Sequence, residues 1–286
     1  MNPFPTTVRI VEVGPRDGLQ SISSRIPTDA KIKYINLLSE AMLPEIEVTS
    51  FVSPKWIPQL SDAMDVSAGI IKHKNIRYTA LVPNIAGLTN ALESGYDSVA
   101  VFIAASETFS QKNTNCSIPD SLERMKIMQP KWAEHFIHVR GYISTVWECP
   151  YEGKTHAEKV LPIIDSLFEL GVREISLGDT LGKTHPGNVK SLLDAILKRW
   201  PVNQFALHFH DTYNLALKNV EVGLEYGIST FDSSAGGVGG CPYAPGSAGN
   251  IRTENILDLC NKFNIQTGIN KNNLIKAASH IQQYID

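Results

Sequence analysis

Phe205-Ala206-Leu207-His208-Phe209-His210-Asp211 is the stretch that decides how this chain is interpreted. Its apolar start is typical of a buried strand, and side chains along a strand alternate between two faces. His208 and His210 therefore share one face, where two imidazoles suit a divalent metal ion. A pair of buried core histidines is the alternative, and an isolated His-x-His would favour it. The rest of the chain favours the metal site.

Apolar, β-branched runs alternate with helical patterns from one end of the chain to the other. Eight strands are predicted, at Val8–Val13, Ile46–Thr49, Arg77–Val82, Ser98–Ala104, Ile137–Val146, Glu174–Leu177, Phe205–Phe209 and Ser229–Asp232. Each is followed by a predicted helix, and a further helix is predicted over Asn270–Ile285. Strand–helix units of about 35 residues favour an α/β fold, a closed (β/α)8 TIM barrel with a C-terminal helical extension, over an open doubly wound sheet.

Three of the predicted helices carry a more specific expectation. Thr28 is expected to be the N-cap of a helix over Thr28–Met42. Pro130 is expected to kink or break a helix over Pro119–His135. The helix after the last strand is expected to begin near Asn250 and to end near Phe263.

Length and composition narrow the possible functions. The 286 residues, 43% hydrophobic and 19% charged, fit a single domain over residues 1–286, since a TIM barrel typically needs ~250 residues. A net charge of -3 without a long basic run argues against nucleic acid as a partner. No apolar run approaches the ~20 residues of a membrane span. Neither a signal nor a transit pattern is found, and the four cysteines form no C-x-x-C pair, so we expect a cytoplasmic protein with free thiols.

Polar residues follow the predicted strands at the end where a TIM barrel keeps its active site. Arg16 and Asp17 follow the first strand, Glu47 lies near the end of the second, and Asp179 follows the sixth. Taken singly, Arg16 and Asp17 could form a surface turn, and Asp179 could cap a helix. Their shared placement favours one functional site. A carboxylate that points into the barrel mouth needs a partner, so Glu47 is expected to pair with Arg16 or with the metal.

A glycine-rich segment over residues 235–249 follows the last strand. It lacks the residue order of a nucleotide P-loop. We interpret it as a mobile lid that brings Cys241 over the site, where a thiol is suited to proton transfer. Asn250 follows the lid and could offer its amide oxygen to the same metal. The alternative is a flexible linker.

Five motifs resemble those of the 3-hydroxy-3-methylglutaryl-CoA lyase family. They are VEVGPRDGLQ at 11–20, TSFVSPKW at 49–56, CPYEG at 149–153, SLGDT at 176–180 and GGCPYA at 239–244. Arg-Asp after the first strand and His-x-His on the seventh are shared across a superfamily of metal-dependent aldol-type barrels, which includes isopropylmalate and homocitrate synthases. The GGCPYA motif is far more specific and resembles the lyase branch.

The resemblance implies a lyase that cleaves 3-hydroxy-3-methylglutaryl-CoA to acetyl-CoA and acetoacetate, as in leucine degradation and ketone-body metabolism. The cofactor it implies is Mg²⁺ or Mn²⁺, and the ligands it implies are Asp17, His208, His210 and Asn250. The catalytic residues it implies are Arg16, which stabilises the enolate, Asp17, Cys241 in proton transfer, and the supporting acids Glu47 and Asp179. The substrate-binding residues it implies are Arg16, Gln20 and Thr180. It also implies an acyl-CoA as small-molecule partner and a homodimer.

Some residues depart from the family pattern. Trp147-Glu148 precede the CPYEG motif where Leu-Gly is usual, and Asn214 stands where glycine is usual. Both departures lie near strand ends, so we expect them to bear on the acyl group that is accepted. Two other functions stay open: a Claisen-condensing acyltransferase that acts on a 2-oxo acid, and a metal-binding barrel without catalytic activity.

Overall fold

Eight parallel strands close into a barrel in a computed structural model that describes residues 4–135, 137–241 and 244–285, without the side chains of residues 241–248. The barrel strands are β1 (Arg9–Glu12), β2 (Glu45–Ser50), β3 (Arg77–Leu81), β4 (Ser98–Ala104), β5 (His138–Ser144), β8 (Glu174–Asp179), β9 (Phe205–Phe209) and β10 (Thr230–Ser233). Around the barrel their order is β1-β10-β9-β8-β5-β4-β3-β2. Two short hairpins consist of β6 (Glu148–Cys149) with β7 (Gly153–Lys154), and β11 (Gly240–Cys241) with β12 (Ala244–Ala248).

Helices follow the barrel strands and form the outer layer. They are α1 (Thr28–Glu40), α2 (Ala63–Gly69), α3 (Ile85–Glu93), α4 (Glu107–Thr114), α5 (Ile118–Glu134), α6 (Ala157–Glu169), α7 (Pro186–Ile196), α8 (Ala216–Glu225), α9 (Thr253–Lys262) and α10 (Lys271–Gln282). The predicted TIM barrel is confirmed, and α10 is its predicted helical extension. It lies against α1, where the side chain of His280 contacts the carbonyl oxygen of Ala30 at 3.0 Å.

The structure bears on three local predictions. Thr28 is the first residue of α1 rather than its N-cap, and its hydroxyl donates to Asp62 at 2.7 Å. Helix α5 continues through Pro130, so the expected break is absent, and the alternative of a kink stays a prediction. Helix α9 is found over Thr253–Lys262, near its predicted place, and Asn250 forms a bridge to His210 at the end of β9.

Helix α4 was not predicted, because its sequence, ETFSQKNT, has too few apolar residues to show a helical period. Its start is nevertheless well defined, since the hydroxyl of Ser106 accepts a hydrogen bond from the backbone N–H of Phe109 at 3.2 Å. The β4–β5 connection therefore contains two helices, α4 and α5, where one was expected. Both lie beside the mouth of the barrel.

The amino-terminal ends of the strands are filled by charged side chains. Arg9 pairs with Glu45 on the neighbouring strand β2 and with Glu174 on β8, which lies across the barrel. Arg140 pairs with Glu174 at 2.7 Å and with Asp232 at 2.6 Å. Because these pairs span the interior, they close this end of the barrel and leave the opposite end for a site.

No helix of the described residues is long and apolar enough to cross a membrane.

Candidate active site

A cavity of about 660 Å³ opens at the carboxyl ends of the barrel strands. Among the residues that line it are the predicted site residues Arg16, Asp17, Gln20, Thr180, His208 and His210. The structure therefore brings residues from the turns after β1 and β8 and from β9 to one opening. This is where a TIM barrel carries its active site.

Asp17, His208 and His210 form one group of possible metal ligands, with ligand atoms within 4.8 Å of one another. Oδ2 of Asp17 lies 4.0 Å from Nε2 of each histidine. Asp17 reaches this point from a tight turn after β1, in which the carbonyl oxygen of Val13 accepts hydrogen bonds from three successive backbone N–H groups. Burial opposes its charge, but Arg16 and the two histidines lower the pKa of Asp17 to about 2.

His208 is oriented by a buried carboxylate on the neighbouring strand. Its Nδ1 lies 3.2 Å from Oδ2 of Asp232, which leaves Nε2 for the cavity. Asp232 is itself held by the hydroxyl of Ser176 at 2.7 Å and by the guanidinium of Arg140. Burial opposes the charged imidazolium, but Asp232 and Asp17 outweigh it and raise the pKa of His208. A carboxylate behind a histidine is the usual support of a metal ligand.

His210 and Asn250 complete the group. Burial, followed by the charge of His208, lowers the pKa of His210 to about 4, so its ring is neutral at pH 7 and can act as a ligand. Nδ2 of Asn250 donates to Oδ2 of Asp17 at 2.9 Å. If the amide rotated by half a turn, it would present its oxygen at the same place. Two imidazoles, a carboxylate and an amide oxygen fit a divalent cation such as Mg²⁺ or Mn²⁺.

Arg16 is fixed beside this group by two carboxylates. Its Nε and Nη2 donate to Oε2 of Glu47 at 2.8 and 2.7 Å, and its Nη1 donates to Asp17 at 2.6 Å. Although burial disfavours a charge, these carboxylates raise the pKa of Arg16, so it stays a cation. As expected from the sequence, Glu47 has Arg16 as its partner. The site therefore holds a fixed positive charge at its edge.

Glu47 supports Arg16 rather than lining the cavity. Its side chain is fully buried, and Oε2 also accepts a hydrogen bond from the hydroxyl of Tyr142 at 3.1 Å. Oε1 has no hydrogen-bond partner among the described residues. Tyr142 does line the cavity, and the guanidinium of Arg16 lies 5.3 Å from the centre of its ring.

Asp179 holds the loop that follows β8. Its two oxygens accept hydrogen bonds from the backbone N–H groups of Gly182 at 3.1 Å and of Thr184 at 3.0 Å. Burial outweighs these bonds and raises the pKa of Asp179 to about 6. Thr180, the next residue, lines the cavity, and its hydroxyl accepts a hydrogen bond from the N–H of Thr145 at 3.0 Å. Asp179 thus positions a wall of the site.

Gln20 and Gly240 of the glycine-rich segment also line the cavity. The side-chain amide of Gln20 donates to Oδ1 of Asp17 at 3.0 Å. Gly240 lines the cavity and begins the hairpin in which the backbone of Cys241 pairs with Ala244. The thiol of Cys241, on which the predicted proton transfer depends, lies outside the described residues. The mobility of the lid stays a prediction.

Sequence reasoning missed the buried residues that support the side chains lining the cavity. Asp232 ends the eighth strand as predicted from the sequence, so the same placement that pointed to Asp179 could have identified it. Arg140 and Tyr142 share one face of β5, and a buried arginine in an apolar strand was the available signal. Their partners could not be deduced, since Arg140 and Asp232 are 92 residues apart.

Glu12 was missed as well, and it ties the site's segments together. Its carboxylate accepts hydrogen bonds from the backbone N–H groups of Gly14 at 3.0 Å and Ala235 at 2.9 Å, and from the hydroxyl of Thr253 at 2.8 Å. Gly14 begins the turn that carries Asp17, Ala235 begins the glycine-rich segment, and Thr253 follows Asn250. Burial raises the pKa of Glu12 to about 8.

The departures from the family pattern have structural explanations. Asn214 has a φ of 57°, a left-handed conformation that glycine or asparagine adopts readily. Trp147 is buried and stacks on Phe209, with ring centres 5.5 Å apart. Neither is among the described residues that line the cavity, and their expected effect on the acyl group stays a prediction.

Comparison with known proteins agrees with this geometry. The HMGL-like family model matches residues 7–281. The chain belongs to the HMGL-like family. This HMGL-like protein is 49% identical to the hydroxymethylglutaryl-CoA lyase of Bacillus subtilis over 98% of its own length and 94% of that relative. It is 48% identical to the mitochondrial hydroxymethylglutaryl-CoA lyase of Mus musculus, over 100% of its length and 88% of that relative.

Solved structures extend the comparison to three dimensions. The crystal structure of the Bacillus subtilis HMG-CoA lyase superposes on this HMGL-like protein with a TM-score of 0.97, covering 98% of this chain and 94% of that one. An HMG-CoA lyase from Acinetobacter baumannii, in complex with coenzyme A and 3-methylmalate, superposes with a TM-score of 0.92 at 36% identity, covering 98% and 91% of the two chains.

Proposed function

We propose that this protein is a divalent-metal-dependent lyase that cleaves 3-hydroxy-3-methylglutaryl-CoA to acetyl-CoA and acetoacetate. The observation that carries the proposal is the meeting of Asp17, His208 and His210 beside the fixed cation Arg16, at a cavity mouth in an HMGL-like chain. The proposal is supported by relatives that this chain resembles over nearly its whole length and that are named hydroxymethylglutaryl-CoA lyase.

The reaction breaks the carbon–carbon bond next to the tertiary hydroxyl of the substrate. The hydroxyl loses its proton and becomes the ketone of acetoacetate, while the bonding electrons pass to the thioester as an enolate. When bound, a divalent cation would hold the hydroxyl and carboxylate of the substrate and lower the pKa of the hydroxyl. Asp17, His208, His210 and Asn250 are the residues that would hold this cation.

Arg16 stabilises the charge that forms on the thioester oxygen. Its guanidinium is held in place by Glu47 and Asp17 before the reaction begins, so little reorganisation is needed when the charge appears. Gln20 fixes Asp17, and Asp179 fixes the loop that carries Thr180. We therefore propose Glu47 and Asp179 as positioning groups, with Gln20 and Thr180 as walls of the substrate site.

The enolate carbon must receive a proton to become the methyl group of acetyl-CoA. We propose that the thiol of Cys241 supplies it when the glycine-rich lid closes. Gly236 and Gly237, at the start of the lid, have φ angles of 71° and 68°, which other residues resist. Cys241→Ser should lower kcat by orders of magnitude with metal affinity unchanged, because a hydroxyl is a far weaker acid. Cys260→Ser, at a buried thiol, is the control. Near-normal turnover by Cys241→Ser would contradict the role.

We further propose Mg²⁺ or Mn²⁺ as the metal, a homodimer, a cytoplasmic location and a place in leucine degradation. The oxygen and imidazole donors support the choice of metal. The other three proposals rest on the family to which the chain belongs. Light scattering of the purified protein tests the dimer.

One experiment separates this function from its alternatives. The protein is incubated with 3-hydroxy-3-methylglutaryl-CoA and Mg²⁺ or Mn²⁺, and the products are identified by mass spectrometry; a chelator should abolish their formation. A parallel incubation uses acetyl-CoA with a panel of 2-oxo acids and follows the release of free CoA thiol. Acetyl-CoA and acetoacetate in the first incubation support the lyase. Thiol release only in the second would indicate a condensing acyltransferase, and no turnover in either would indicate a non-catalytic barrel.

A further inference from the structure

Helices α4 and α5 form one wall of the cavity outside the barrel. Together they contribute Phe109, Asn113, Thr114, Ser121, Arg124, Met125 and Met128 to its lining. These residues come from the connection after β4, whereas the metal-binding group comes from the turn after β1 and from the end of β9 and the segment after it. The cavity thus continues beyond the reacting end of the site.

Arg124 faces this part of the cavity. It lies on the same face of α5 as Ser121, Met125 and Met128, because residues three, four and seven apart along a helix are neighbours. Met125 and Met128 are buried against the cavity, while Arg124 is exposed. Its guanidinium therefore lies at the rim, above an apolar floor of thioethers.

The acidic residues nearest to Arg124 in sequence are engaged elsewhere. Glu123 pairs with Lys126 at 3.8 Å. Asp120 accepts a hydrogen bond from the hydroxyl of Ser117 at 2.6 Å, at the start of α5. Across the described part of the chain, Arg124 forms no ion pair. The other arginine that lines the cavity, Arg16, is bound to carboxylates.

We infer that Arg124 binds the phosphate groups of the coenzyme A portion of the substrate, an inference that rests on the proposed function. An acyl-CoA carries its reacting group at one end of a long neutral arm and its phosphates at the other. The cavity offers the metal-binding group at one place and Arg124 at another. The same cavity is also lined by apolar side chains, such as Phe102, and by the amides of Asn84 and Asn113. A guanidinium is the side chain best suited to a phosphate.

The test compares two variants on two substrates. The substrates are 3-hydroxy-3-methylglutaryl-CoA and the same acyl group on N-acetylcysteamine, which has no phosphates. Arg124→Gln should raise KM for the CoA thioester about tenfold, with kcat within twofold, since a rim charge contributes to binding more than to chemistry. It should leave both constants for the short thioester unchanged. The matched control is Lys126→Gln, which removes an exposed charge of the same sign on the same helix outside the cavity lining.

Two outcomes would overturn the inference. An unchanged KM for the CoA thioester in Arg124→Gln means that the phosphates lie elsewhere. An equal fall in kcat/KM for both substrates means that Arg124 only stabilises α5. Calorimetric titration with free coenzyme A and with pantetheine, which has no phosphate, keeps the test independent of turnover. If the wild type cleaves neither thioester but Arg124→Gln still binds coenzyme A about tenfold more weakly, the proposed function fails and the phosphate site stands.

Discussion

The two ends of the barrel contain the same kinds of charged residue, but the surroundings of these residues differ. At the amino-terminal end Arg9 joins Glu45 and Glu174, and Arg140 joins Glu174 to Asp232, so each of these charges has a partner of opposite sign. At the carboxyl end Arg16 and Asp17 are paired as well, but they and the two histidines line a cavity. Charges that satisfy one another stabilise a fold, whereas charges directed into an open space can bind a ligand.

The two ends are also connected. Asp232 accepts a hydrogen bond from Arg140 on one side and contacts His208 on the other. One carboxylate therefore belongs both to the ion pairs that close the barrel and to the support of a proposed metal ligand. Substitutions at the amino-terminal end should change stability, and substitutions at the carboxyl end should change catalysis. A substitution at Asp232, which joins the two ends, should change metal affinity.

The largest effect is expected at the open end. Arg16→Lys keeps the charge but loses the planar group that contacts Glu47 through two nitrogens. We expect kcat to fall by roughly two to three orders of magnitude, the usual loss for one charge-stabilising donor. Metal affinity, measured by calorimetry, should change by less than a few-fold. A kcat within a few-fold of wild type would mean that Arg16 has no part in the chemistry.

At the closed end the expected loss is one of stability. Glu45→Gln leaves Arg9 with a neutral partner in a buried layer, and we expect the free energy of unfolding in urea to fall by about 2 kcal/mol. The kcat of the folded variant should stay within twofold. Arg77→Gln removes a partly exposed partner of the same carboxylate and should cost less than about 1 kcal/mol. A large loss of kcat in Glu45→Gln would show that the two ends are not separate.

At the connection the effect should fall on metal binding. Asp232→Asn removes the charge behind His208, and we expect metal affinity to weaken by roughly 10–100-fold, as for other supporting carboxylates. Ser176→Ala deletes a different hydrogen bond to the same carboxylate and serves as the control. Equal affinities for the wild type and Asp232→Asn would rule out this support.

The smallest effect concerns pH in the metal-free protein. The pKa of His210 is lowered to about 4 from its ordinary 6.5, so the unfolded chain binds a proton more readily than the folded one. Stability is therefore lost as the pH falls from about 6.5 towards 4. His210→Asn should lack this part of the pH dependence. The comparison is needed because Glu12, with a pKa raised to about 8, acts with the opposite sign in both proteins. Parallel stability curves would contradict the shift at His210.

The sequence was sufficient for residues whose role follows from their place along the chain. His208 and His210 alternate on one strand, and Asp17 follows another, so their meeting in a parallel barrel could be predicted from strand order alone. Glu47 was expected to pair with Arg16 or with the metal, because a buried carboxylate requires a nearby cation, and it pairs with Arg16.

The sequence was insufficient where a role depends on a distant partner. Glu12 looks like an ordinary strand residue until Ala235 and Thr253 are seen to donate to it. Arg124 is one charge among several on a surface helix, and only the shape of the cavity distinguishes it from Lys126. Such roles arise from packing between segments, which periodicity along one segment does not encode.

The ion pairs at the amino-terminal end also bear on how the products leave the site. Because Arg9, Glu45 and Glu174 close the amino-terminal end of the barrel, we expect both products to leave by the mouth through which the substrate entered. The fragment that becomes acetoacetate would be bound by the metal, whereas the acetyl fragment remains attached to the coenzyme that fills the rest of the cavity. We therefore expect acetyl-CoA to depart first and acetoacetate second, an ordered release that follows from the closed end of the barrel.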